Sequence, residues 1–191
     1  MQIEGLVLQN IPFKDYDHIV TLFTPHSIFK LFVKGKKRLD PHHNALISPF
    51  TIAEYTYETA KSELHRFQEG RIVEQNLKLR DRLASFEAAQ KILLALHQTQ
   101  WPNKPAPALY LLTKHFLKQI PQTEHPDKLL AIYYLKLLKH EGILDTSLFT
   151  EEEQKHVRAL SEVRSFEMLE TILPDDTLAQ KIEELFQNNC A

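Results

Sequence analysis

A chain of 191 residues, 43% hydrophobic and 25% charged, has the composition of a folded globular protein of one large or two small domains. A net charge of −2 excludes a general polycation, and no stretch reaches the roughly 18 consecutive apolar residues of a membrane span. The lone cysteine, Cys190, excludes an internal disulfide and a cysteine metal site, and it agrees with a reducing compartment. The opening MQIEGLVLQN lacks the basic start and long apolar core of a secretory leader, so a cytoplasmic protein is expected. The charge is unevenly divided. Residues 1–80 carry 11 Lys/Arg against 9 Asp/Glu, and residues 81–191 carry 12 against 16. A nucleic-acid partner is therefore expected on the first part, through a local patch.

Residues 3–9 (IEGLVLQ) read as a first strand, and Ile11-Pro12-Phe13 with the polar KDYD as a loop. His18 to Thr24 is rich in β-branched and aromatic residues and reads as a second strand, turning at Pro25-His26-Ser27 into a third over 28–34. Gly35 then breaks the chain into the densest run of one charge. From Lys30 to His43 there are five Lys/Arg against one Asp. Such a tip can displace counterions from a phosphate backbone, or it can simply keep a sheet edge from pairing. Phe50 to Glu58 and Leu64 to Glu74 complete five strands, with Gly70 at an expected bend or bulge. Five short strands in about 75 residues predict a small antiparallel barrel, of OB-fold or SH3-like type.

Near residue 78 the apolar period changes to that of a helix. Leu79, Leu83, Phe86, Leu93 and Leu96 mark the first one, stopped by Trp101-Pro102-Asn103-Lys104-Pro105. Helices follow over 106–120 and 127–140. The latter is apolar on most of its circumference and so is expected at the centre. Gly142 suits a C-terminal cap, and Thr150 with Glu153 a capping box. Shorter helices are expected over 165–173 and 175–187. The division is an α+β chain: a barrel over 1–78, then an all-α helical bundle over 79–191.

No catalytic constellation is legible, and the chain is not expected to be an enzyme. None of the ten histidines pairs at the His-x-x-x-His spacing of a zincin, and His42-His43 are adjacent on a loop without further ligands. Four glycines supply no phosphate or dinucleotide loop. No metal or cofactor is predicted. Binding groups are richer: Lys61, Arg66 and Arg71 accompany the basic tip, interleaved with Phe29, Phe32, Tyr55, Tyr57 and Phe67. Strand aromatics serve either as a stacking platform for bases or as core, and sequence does not say which face each takes.

Taken in order, these segments resemble the RecO family of bacterial recombinational DNA repair proteins. The opening strand EGLVLQ is similar to that family's first strand, and DHIVTLFT followed by a strand and VKGKKR is similar to one of its better-known segments. Ala45-Leu46, Pro49-Phe50, Leu64 to Phe67, Ile72 to Glu74 and Leu137-Leu138 before Gly142 continue the resemblance over roughly 3–144. Many members carry a four-cysteine zinc motif after the last of these; here Gly142 leads into ILDTSLFTEEEQ without cysteine, so zinc is not carried over.

The resemblance implies an OB-fold domain, binding to single- and double-stranded DNA, annealing of complementary strands, and help in loading the RecA recombinase onto DNA coated with single-strand-binding protein. It implies RecR and the acidic C-terminal tail of single-strand-binding protein as partners, no membrane, and a cytoplasmic, nucleoid-associated location. The DNA contacts expected are Lys30, Lys34, Gly35, Lys36, Lys37, Arg38, Arg66 and Arg71, with Lys114, Lys118 or Lys128 near the tail's carboxylates. The competing readings are a protein–protein adaptor, an RNA-binding OB-fold protein without a DNA role, and a histidine-dependent metalloenzyme.

Overall fold

The computed structural model describes residues 1–35, 41–163 and 165–190. These form two compact units, one of residues 1–77 with 100–112 and one of residues 78–99 with 113–191.

The first unit is a closed five-stranded barrel in the order β1-β2-β3-β5-β4, the OB-fold domain that the resemblance implied and one of the two barrel types the strand pattern left open. Its strands are β1 (Gln2–Phe13), β2 (Asp17–Phe23), β3 (Ile28–Val33), β4 (Ile52–Glu58) and β5 (Leu64–Glu74), and the short helix α1 (Pro41–Leu46) falls between β3 and β4. All neighbours are antiparallel except β3 and β5, which run parallel. Alternation fills the interior with Val7, Val20, Leu22, Leu31, Val33, Ala53 and Tyr55. Burial of each large aliphatic among them is worth roughly 1.5–3 kcal/mol.

Three local readings need correction. The segment Ile11-Pro12-Phe13, read as a loop, is the end of β1. A register shift between Val7 and Gln9 restarts the alternation, and Pro12 stands opposite His18 within the ladder. Residues 41–46, read as part of a loop, form α1, opened by Pro41 at its first position, where a missing N–H costs nothing. Gly70 is not itself the bulge. It pairs regularly with Tyr55, and the register shifts on either side of it, at Thr56/Tyr57 and Ile52/Ala53. Its constraint is proximity, since a Cβ there would lie 2.9 Å from Leu46 Cδ2. Tyr55 ties the same spot from inside, donating its hydroxyl to the Leu46 carbonyl at 2.7 Å.

Residues 100–112 belong with the barrel because they cover part of its outer surface. Ala106 N–H donates to the Pro25 carbonyl at 3.1 Å. The Tyr110 hydroxyl donates to Glu4 at 2.9 Å, and the Tyr110 ring meets Phe23 edge-on at 5.7 Å.

The second unit is helical. It contains α2 (Leu83–Thr99), the end of α3 (Pro107–Gln119), α4 (Pro126–Glu141), α5 (Glu151–Glu162), α6 (Phe166–Thr171) and α7 (Asp176–Cys190). Helix α4 is its axis, buried at Leu129 to Leu135 and again at Leu137 and Leu138, with α2, α5 and α7 packed around it. Tyr134 stacks on Phe186 of α7 at 4.1 Å, and Tyr133 shares a 2.9 Å hydroxyl hydrogen bond with Thr113. Gly142 ends α4 in the left-handed region at φ 74°, and its N–H bonds the Lys139 carbonyl. Among the described residues no helix is long and apolar enough to cross a membrane.

Candidate nucleic-acid interface

Strand parity decides which side chains can meet a ligand outside the barrel. In β3, Leu31 and Val33 point inward, so Lys30 and Phe32 point out. Pairing then aligns a row across four strands: Ile11 opposite Ile19, Ile19 opposite Phe32, and Phe32 opposite Arg66. Ile11 and Phe13 remain 46% and 41% exposed at the end of β1. The Phe13 and Phe32 rings meet edge-on at 6.1 Å. The Lys14 ammonium sits 5.4 Å from the Phe13 ring centre, within cation–π range. Lys30, Lys34 and Arg66 are exposed around this apolar strip. Rings flanked by cations on one open sheet face can stack bases and hold phosphates together.

The start of the basic tip is anchored to this face. Gly35 N–H donates to the Asp17 carboxylate at 3.0 Å, which joins the end of β3 to the start of β2. A side chain at Gly35 would collide with the Tyr16 carbonyl, so the glycine is demanded by the β1–β2 turn passing over it. Lys36, Lys37 and Arg38 lie outside the described residues.

The remaining predicted contacts are distributed differently. Arg71 faces outward but forks through Nε and an Nη onto one oxygen of Glu54, its cross-strand neighbour, at 3.1 and 2.8 Å. Of the five strand aromatics, only Phe32 belongs to the open face. Tyr55 is fully buried, and desolvation drives its hydroxyl pKa upward. Phe29, Tyr57 and Phe67 pack against the interior. Sequence reasoning missed Phe13, Lys14, Ile11 and Ile19. The signal was the alternation of Ile11 and Phe13, hidden by the proline between them.

In the helical unit Lys114 and Lys118 lie on α3 and Lys128 on α4. Lys128 is bound to Asp176 at the start of α7, 2.9 Å away. That bond raises the ammonium's pKa and holds Asp176 below the usual carboxylate range. Lys118 is exposed and Lys114 half-buried. Among the described residues no cluster of His, Cys, Asp or Glu could hold a metal ion.

Comparison with known proteins bears on the same region. A family model described as "Recombination protein O N terminal" matches residues 1–76, which is the barrel. A DNA repair protein RecO of Chlamydia pneumoniae is 34% identical over 143 residues, 75% of this chain and 57% of its own length. The DNA repair protein RecO of Chlamydia trachomatis serovar L2 is 29% identical over 145 residues, covering 76% of this chain and 60% of the relative. That of a Thermoanaerobacter strain is 26% identical over 146 residues, covering 75% and 58%. The chain thus spans under two thirds of the length of these relatives.

Proposed function

We propose, because this chain belongs to the RecO family, that it acts in recombinational DNA repair as a binding mediator without chemistry of its own. The supporting observation is the open barrel face, where Phe13 and Phe32 lie among Lys14, Lys30, Lys34 and Arg66. Single strands stack bases on the rings while the cations replace counterions along the phosphates. Lys36, Lys37 and Arg38, which follow Gly35 in the sequence, are proposed to add phosphate contacts of the same kind. Duplex DNA binds through the cations alone, because its bases are already stacked on one another. Annealing follows from the same chemistry: a cationic face that reads no base edges screens the repulsion between two strands and leaves their pairing edges free.

The helical unit is proposed to take protein partners: RecR, and the acidic, apolar tail of single-strand-binding protein near Lys114 and Lys118. With the tail held, the chain would open protein-coated DNA to RecA. The setting is the cytoplasm, at the nucleoid.

Fluorescence anisotropy with a labelled single strand at several salt concentrations tests this reading. With three to five phosphates neutralised, log K falls against log[salt] with a slope of roughly −2 to −3.5. Lys30→Ala/Lys34→Ala/Arg66→Ala makes the slope shallower by about 2 at unchanged melting temperature. Binding that ignores both salt and these substitutions removes the face from the function and favours the adaptor reading.

A further inference from the structure

We infer that a half-open pocket at one rim of the barrel receives a single unstacked nucleobase of the bound strand. The pocket measures about 330 Å³ and lies between the β2–β3 turn, the β4–β5 loop and residues 102–103. That volume is at the small end of the usual range for small-molecule sites, about 300–1,000 Å³.

Three rings form its wall: Phe29 and His65 stack at 4.6 Å, and Tyr57 closes on them at 4.8 and 5.4 Å. All three are half-buried, so each offers ring surface without being lost in the interior. The Ala60 N–H donates to His65 Nδ1 at 3.2 Å, which leaves the neutral ring's proton on Nε2. Glu63 lines the pocket as a carboxylate able to accept from an exocyclic amine, and Lys30 lines it as a cation. Lys30 is also part of the open face described above, so one residue joins the phosphate track to the pocket. Rings, one acceptor and one cation suit a base with its phosphate better than a purely apolar group.

This inference rests on the DNA-binding reading, and its test separates the two. The full chain is titrated with a single-stranded oligonucleotide and with an abasic strand of equal length, which has the same phosphates and no bases. Tyr57→Leu keeps apolar bulk against the interior and removes the ring; Ser27→Trp fills the pocket from the turn. Thermal melts show which variants are folded. The expected result is that each folded variant binds the ordinary strand about tenfold more weakly and the abasic strand unchanged. Variants that keep the parent's preference for bases overturn the pocket while DNA binding stands. Equal weakening on both strands makes the pocket a backbone contact and overturns it as well. A parent chain that binds neither strand removes both readings at once.

Discussion

Phe32 and Tyr55 are both strand aromatics, and parity along the strand gives them opposite tasks. Phe32 points out beside Phe13, so Phe32→Ala is expected to weaken single-strand binding by the worth of one stacked base, about 1–3 kcal/mol, and to change duplex binding less. Competition titrations with the two DNA forms check this. Tyr55 points in, and Tyr55→Phe removes only its hydroxyl donation to Leu46. It should cost about 1 kcal/mol of stability and leave DNA affinity alone. Gly35 is constrained by the carbonyl of Tyr16. Gly35→Ala must displace the β1–β2 turn, at a cost of about 1–3 kcal/mol in a urea melt. Single-strand affinity should fall with it, because Phe13 and Lys14 lead into that turn. The sequence showed the charges and rings but not their sides. Facing in a barrel is set by bulges, and the shift between Val7 and Gln9 leaves no mark in the residue types.

Elements governed by short-range signals were more legible. The box at the start of α5 forms as its residues demand: Thr150 N–H donates to the Glu153 carboxylate at 2.7 Å, and Glu153 N–H donates to the Thr150 hydroxyl. Thr150→Ala should lower helical-unit stability by about 1 kcal/mol. Glu153 also binds Lys181 of α7 at 2.8 Å. The Lys181 bond first, then the Thr150 amide, hold its carboxyl below the ordinary 4.5. A depressed carboxylate stabilises the fold at pH above its unfolded value and loses that contribution as pH falls through the folded one. Thermal melts should therefore show the helical unit weakening from about pH 4.5 downward. In Glu153→Gln the melting temperature should be lower at neutral pH, and the acid-induced drop smaller. By contrast, α1 and the strand through Pro12 escaped the sequence reading. Six residues carry too little period to reveal a helix, and proline's usual role as a breaker outweighed the alternation around it.

At the scale of the molecule, two compact units divide the work proposed here, with nucleic acid on the barrel and proteins on the helices. The change of apolar period near residue 78 was legible in the sequence. The association of residues 100–112 with the barrel was not visible, because it depends on tertiary contacts such as Tyr110 to Glu4. The charge division pointed the same way, since the first 80 residues are net positive in a chain of net charge −2.

The most direct test is amide and side-chain NMR of the full chain during titration with a short single-stranded oligonucleotide at low salt. The account predicts shifts at Phe13, Lys14, Ile19, Lys30, Phe32 and Arg66 that saturate together, while α4 and α7 stay unmoved. Shifts confined to the helical unit, or none at all up to millimolar oligonucleotide, would contradict it.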